Sequence, residues 1–342
     1  MGNTPSFDFA IVGGDAVHEI VSADKSAIVS LVGRTYAALG AGRAINPDSY
    51  FLRFPDKPNS RIIALPAYLG GEFDVAGIKW IASFPDNIAR GIPRASAVLI
   101  LNDYETGYPL ACVESSIISA ARTAASAVLG AEWLQGGAKS APAIGFIGTG
   151  IISRTIAEFF LATGWSFERA YLYDLSRDYS EALGRHLESL AKDIDVSSVD
   201  SAADAIRRSD VVVFATTSAS PHVADPRLFA HCPAVLHISL RDLSPEVILA
   251  SQNIVDDVEH CLKANTSPHL AEQKVGHRDF IVGTLDELMR GAVKLAPDRT
   301  RIFSPFGMGI FDLAVGLHVY RQALASGRAV RIPNFFHERT RW

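Results

Sequence analysis

The stretch "APAIGFIGTGIISRTIAEFF", residues 141–160, constrains this chain more than any other. Its first part, "AIGFIG" at 143–148, is short, apolar and bounded by Pro142 and Gly148, the pattern of a strand buried on both faces. Then "IISRTIAEFFLATG" at 151–164 spaces its apolar residues as a helix does and stops at Gly164. Strand, glycine turn and helix in that order form the phosphate-binding start of a dinucleotide-binding unit. Gly148 allows the tight turn, and Gly150 lets backbone N–H groups approach a pyrophosphate at the positive end of the helix. The third fingerprint position, where glycine or alanine is usual, is Ser153, which is small enough for close packing of helix on strand. Alone, G-x-G-x-x-S is a weak signal.

Its surroundings strengthen it. "RAYLYD" (169–174) reads as the next strand and ends on Asp174, 24 residues beyond Gly150. A carboxylate there accepts hydrogen bonds from ribose hydroxyls and repels a 2′-phosphate. That favours NAD over NADP, although Arg177 close by leaves the choice open. "SDVVVFATTS" (209–218), "AVLHISLRD" (234–242) and "NIVDD" (253–257) read as later parallel strands, with helical segments such as "SRDYSEALGRHLESLAKD" between them. The expected class is α/β, a doubly wound Rossmann domain that binds NAD.

At 342 residues the chain exceeds what one core usually serves, so two domains are expected. The fingerprint starts near 143, so the residues before it must build something else. "SYFLRFP", "RIIALPAYLG", "FDVAGIKWIASFP" and "ASAVLILND" are strand-like pieces separated by turn residues, and they predict an α+β domain. "SSIISAARTAASAVLGAEWL" (115–134) is a long small-residue helix leading into the nucleotide domain. The tail "FGMGIFDLAVGLHVYRQALASG" (306–327) reads as an amphipathic helix returning to the first domain. The expected boundaries are 1–125 with 306–342 for a substrate-binding and dimerisation domain, and 126–305 for the Rossmann domain.

Composition excludes other classes. A net charge of −5 without a basic block leaves no footprint for nucleic acid. No apolar run reaches membrane-spanning length, and "MGNTPSFDFAIVGGDAV" lacks the basic and apolar regions of a signal peptide. Met1-Gly2 with Ser6 fits a loose myristoylation pattern that is too short and common to weigh. Cys112, Cys232 and Cys261 are widely spread, the usage of a reduced, cytoplasmic protein. No metal is expected: "DDVEHC" (256–261) collects ligand types without zinc spacing. Nor is there a G-x-S-x-G elbow for a hydrolase.

The chemistry-bearing candidates are few. In the first domain the cations are Arg53, Lys79, Arg94 and Arg122. Lys79, in the strand-like "AGIKWIASFP", either points to solvent by alternation or meets an anion in a cleft, and the pattern alone favours solvent. Arg122 lies among tiny side chains, where it could reach a pyrophosphate or a carboxylate, or simply pair with an acid. Asp242 follows a buried strand at the sheet edge where doubly wound folds bind ligands. It is a candidate general acid/base, with helix capping as the alternative, although Ser244 is the better cap. His237 reads as a core or supporting histidine.

At "GIKWIASFPDN", "LNDYETGYPLACVESSIISAARTAAS" and "IGFIGTG" the sequence resembles the ornithine cyclodeaminase/μ-crystallin family, in order and over nearly the whole chain. The resemblance implies a homodimer whose N-terminal domain and C-terminal helix bind substrate and whose Rossmann domain binds NAD(H) or NADP(H). It makes Lys79 a contact of the substrate carboxylate, reversing the reading from pattern. It places Arg122 between that carboxylate and the cofactor phosphates, sets Arg53 near another carboxylate-binding arginine, and makes Asp242 the catalytic aspartate. The family's glycine before that aspartate is Arg241 here. The cofactor contacts then expected are Arg122, Thr123, Gly148, Thr149, Gly150, Ile151, Ile152, Asp174, Thr216, Ser239 and Gly307.

One departure bears on substrate. Where cyclodeaminases carry an acidic residue on the "IIALP" strand, this chain has Ile63, which argues against ornithine. Arg94 stands where they have no matching arginine. Together these features resemble the subgroup that supplies 2,3-diaminopropionate for siderophores and peptide antibiotics by oxidising a glutamate–diaminopropionate conjugate. Several cations suit its three carboxylates. The alternatives are a cyclodeaminase, an alanine or imine dehydrogenase, and a crystallin-like NAD(P)H-binding protein without turnover.

Overall fold

The computed structural model describes residues 8–336, so the Met1-Gly2 pattern lies outside the described residues. The chain divides into two units, Met1–Arg122 with Met308–Trp342, and Thr123–Gly307. The first begins with β1 (Phe9–Val12), α1 (Gly14–Ala23) and α2 (Lys25–Gly40); the Asp24 side chain caps α2 by accepting the Ala27 N–H. An antiparallel run follows: β2 (Ala44–Ile45), β3 (Tyr50–Phe54), β4 (Lys57–Leu69), β5 (Val75–Ser83), β6 (Ala95–Asp103) and β7 (Pro109–Glu114). Lys79, midway along β5, pairs with Leu65 on β4 and Leu99 on β6. Strand alternation puts it on the same face as buried Val75 and Ser83, while Trp80 turns outward.

The helix α3 (Ser116–Leu134) runs from the first unit into the second. The second unit then alternates strand and helix: β8 (Ser140–Ile147), α4 (Ile151–Ala162), β9 (Ser166–Tyr173), α5 (Arg177–Leu190), β10 (Asp195–Ser198), α6 (Ala202–Arg207), β11 (Val211–Phe214) and β12 (Ala234–His237). It continues with α7 (Pro245–Leu249), β13 (Gln252–Val255), α8 (Val258–Cys261), α9 (Ser267–Val275), β14 (Ile281–Thr284), α10 (Leu285–Met289) and β15 (Arg301–Ser304). The strands lie in the order β10-β9-β8-β11-β12-β15-β13-β14, every pair parallel. This is a doubly wound Rossmann sheet. Its order reverses between β8 and β11, and such a reversal opens a crevice at the carboxyl ends of the strands.

Two expectations need correction here. The "AVLHISLRD" strand ends at His237, because the chain turns away through Leu240 with φ 75°. Asp242 therefore lies in a turn beyond the strand. The C-terminal helix α11 (Gly309–Ala325) is not amphipathic over its first half, where Gly309 to Leu317 are all buried. It packs against β4, β5 and β6 as well as α1 and α2, so apolar residues are needed all round. The last strand, β16 (Val330–Ile332), pairs antiparallel with β1 and completes the order β16-β1-β7-β6-β5-β4-β2, with β3 on β4. The first unit is thus of the α+β kind.

Candidate active site

In the second unit the crevice begins at the glycine turn. Gly148 has φ 80°, and a Cβ there would stand 2.7 Å from the Ala215 carbonyl, so the turn admits only glycine. Gly150 precedes α4, and a Cβ on it would meet nothing within 4 Å. No described side chain caps α4, so its first N–H groups stay available to an anion. The structure also explains the serine at the third position: Ser153 is buried and its hydroxyl donates to the Gly148 carbonyl, bracing the turn. Asp174 accepts the Thr149 N–H at 2.7 Å and its hydroxyl at 3.1 Å, and takes the Ser176 N–H at 3.0 Å. Ile151 is exposed at the mouth of the turn and Ile152 half-buried.

Beyond the ends of β11 and β12 a second group of side chains converges on Asp242, which is fully buried. Thr216 and Ser239 donate their hydroxyls to its two oxygens. His222 Nε2 lies 3.1 Å from Oδ1 and His237 Nε2 lies 3.3 Å from Oδ2. Burial alone would raise the Asp242 carboxyl, yet the hydrogen bonds from His222, His237 and Ser239 outweigh it and hold the group far below the ordinary range. Asp242 is not a helix cap. Ser244 occupies the cap position, but its side chain makes no capping bond.

Lys79 in the first unit is 2% exposed, so it points inward. Its Nζ lies 2.7 Å from Asp312 Oδ2 and 3.3 Å from Ser119 Oγ. Arg122 Nε approaches the other Asp312 oxygen at 3.6 Å, an ion pair too long to be a hydrogen bond, and both atoms lack a hydrogen-bond partner. Burial pulls the Lys79 ammonium down to about 8; Asp312 opposes that shift and Arg122 adds to it. Two cations thus share one fully buried carboxylate. At neutral pH the cluster carries a net positive charge, which a dry site tolerates best beside an anion.

The other candidates have neighbours of their own. Arg53 is exposed on β3, opposite Arg61, with its guanidinium 5.3 Å from the Phe51 ring. Arg94 donates to Ser83 Oγ at 2.8 Å. Thr123 follows Arg122 in α3. The Gly307 N–H donates to Asp256 Oδ2 at 2.7 Å and the Phe306 N–H to Oδ1, so this buried acid of "DDVEHC" braces the chain ahead of α11. An open groove of about 420 Å³, lined by Ile45, Pro66, Tyr68, Gly77 and Ile78 among others, holds none of the candidate side chains. Sequence reasoning passes over Asp312 and His222. The available signal for Asp312 was a lone acid in the apolar run "GIFDLAVGL"; for His222 in "SASPHVADP" there was none.

The sequence profile of the ornithine cyclodeaminase/mu-crystallin family matches residues 26–327. An N-((2S)-2-amino-2-carboxyethyl)-L-glutamate dehydrogenase of Staphylococcus aureus is 32% identical over 271 residues, 77% of this chain and 79% of that protein. An alanine dehydrogenase of Archaeoglobus fulgidus is 28% identical over 337 residues, 95% of this chain and 98% of that protein. Among solved structures, an archaeal alanine dehydrogenase dimer with bound NAD superposes with a TM-score of 0.85 at 26% identity, covering 96% of this chain and all of that one.

Proposed function

From the premise that the chain belongs to the ornithine cyclodeaminase/mu-crystallin family, we propose that it is an NAD-dependent dehydrogenase of N-((2S)-2-amino-2-carboxyethyl)-L-glutamate. The products are 2,3-diaminopropionate and 2-oxoglutarate, which fits a supply step for siderophores or peptide antibiotics. The observation that carries the reading is the buried Lys79–Asp312–Arg122 cluster, whose excess positive charge suits a carboxylate substrate. Ile63 supports it too. It faces Ile81 and Phe51 across the strands, where a cyclodeaminase would hold an acid for the substrate amine.

The residues at the glycine turn fit a dinucleotide. The open space at Gly150 and the uncapped start of α4 receive the pyrophosphate, and Asp174 receives the ribose. NAD+ bound there supplies the hydride acceptor. Lys79 and Arg122 hold the α-carboxylate of the glutamate moiety and fix the direction of its Cα–H bond. Arg53 and Arg94 serve the outer carboxylates. Loss of hydride leaves an imine at the former secondary amine, water adds to it, and the carbinolamine collapses to keto acid and amine. Proton movement in these steps belongs to Asp242 and the groups bonded to it.

The large exposed side chains Tyr50, Phe51, Leu52, Trp80 and Val98 on β3, β5 and β6 support a second copy of the chain as the partner, giving a homodimer. The deciding experiment incubates the protein with NAD+ and the conjugate, following reduced-cofactor absorbance and 2-oxoglutarate release. Turnover of the conjugate, with none of ornithine, is expected. Oxidation of alanine in its place would move the assignment to an amino-acid dehydrogenase.

A further inference from the structure

Asp242 is poorly placed to touch a substrate. It has no exposed surface, and each of its oxygens already has two neighbours: Thr216 Oγ1 and His222 Nε2 on Oδ1, Ser239 Oγ and His237 Nε2 on Oδ2. Two of these are aliphatic hydroxyls, which neither ionise nor hold an extra proton near neutrality. His237 is fully buried and also turned to Ser304 through Nδ1. His222 differs from the rest, because 36% of its side chain is exposed.

Its position is built rather than incidental. The His222 N–H donates to the Asp242 carbonyl at 2.9 Å, while the ring of the same residue reaches the Asp242 carboxylate. The Val223 N–H meets that carbonyl at 3.0 Å, the Ser244 N–H returns to the Val223 carbonyl at 2.9 Å, and Val223 forms a parallel bridge with Leu243. The segment bearing His222 is thus stitched to the segment bearing Asp242, beyond the carboxyl ends of β11 and β12 where open α/β sheets bind ligands.

We propose that His222 is the catalytic residue that takes the substrate's proton, and that Asp242 is its positioning carboxylate. The proposal rests on the dehydrogenase reading above and refines its proton chemistry. With Nε2–H donating to Oδ1, the neutral ring offers Nδ1 as the base, and no described residue bonds that atom. As hydride leaves Cα, the N–H proton of the substrate amine passes to Nδ1 and its electron pair completes the C=N bond. The imidazolium formed is balanced by Asp242 at 3.1 Å, and the proton leaves to solvent from this partly exposed side chain. One proton is released for each hydride transferred. The charged and titratable groups around the ring are the Asp242 carboxylate and, beyond it, His237 and Arg241, whose guanidinium is tied to the Ala264 carbonyl.

The test compares the parent with His222→Gln and His222→Ala in the NAD-dependent assay. General-base loss of roughly 100-fold or more in kcat is expected, with NAD affinity unchanged and activity of His222→Ala restored by added imidazole. Activity within about threefold of the parent, or a loss that imidazole does not restore, overturns the assignment. A second measurement needs no substrate: ¹⁵N NMR of the NAD-bound protein should find the neutral His222 ring protonated on Nε2, a preference lost in Asp242→Asn. A proton on Nδ1 overturns it. Should the parent fail to oxidise the conjugate while the ring shows the Nε2–H form, the substrate reading fails and the base assignment stands.

Discussion

The Lys79–Asp312 pair can be tested without any substrate. At 2.7 Å and an effective dielectric of about 20, the gross attraction is roughly 6 kcal/mol, most of it offset by desolvation of two buried charges. Removing the carboxylate alone, as in Asp312→Asn, leaves Lys79 and Arg122 buried together without a counter-charge. The expected cost is about 3–5 kcal/mol. Lys79→Met in the same background removes one of the stranded cations, so the double variant should be less damaged than the single costs sum to, by about 2–3 kcal/mol. Urea unfolding of the four forms at pH 7 measures this coupling. The effect should also depend on pH with a definite sign. Lys79 has a folded value of about 8, below its unfolded 10.5. Its contribution to stability is therefore complete above the unfolded value and lost as pH falls through the folded one. Asp312 holds the ammonium up, so in Asp312→Asn the proton leaves at lower pH and the stability deficit shrinks between pH 7 and 9. Single-variant costs that add within about 0.5 kcal/mol, or a deficit that ignores pH, would refute the shared-carboxylate argument.

Two further outcomes follow from the same geometry. Gly148→Ala forces a Cβ toward the Ala215 carbonyl at positive φ and should cost more than about 2 kcal/mol, whereas Gly150→Ala at the cap of α4 should cost only about 0.5–1 kcal/mol while weakening NAD+ binding about tenfold, since the incoming phosphate meets the new methyl; thermal unfolding and calorimetric titration separate the two. In the parent, kcat/KM for the acidic substrate should fall about tenfold per unit above pH 8 as Lys79 loses its charge, and Lys79→Arg should lack that alkaline fall in a pH–rate profile.

Much of the Rossmann unit was legible because its strands are short apolar runs with glycine punctuation, and buried parallel strands carry that signature locally. β8, α4, β9 and α5 all appear where the periodicity puts them. Legibility failed where local pattern ends. The strand "RIFS" of β15 has too few residues to show any period, yet it inserts between β12 and β13. α11 reads as amphipathic because its last turns are polar, while its first half must be apolar all round between a sheet and two helices.

The candidate site divides along the same line. Gly148, Gly150 and Asp174 act within one strand–turn–helix unit, so their spacing alone announces them. Lys79 and Asp312 are 233 residues apart, and each looks misplaced when viewed alone: a lysine inside an apolar strand, an aspartate inside an apolar helix. Either anomaly by itself admits a solvent-facing explanation. Taken together they do not, because an ionisable side chain in a helix flanked by apolar residues on every side needs a partner of opposite charge, and the described part of that unit offers the strand lysine at 2.7 Å and the Arg122 guanidinium at 3.6 Å. Had Asp312 met Lys79 alone, the pair would be neutral and closed. The second cation is what leaves the cluster positively charged and gives it a chemical reason to take up a carboxylate.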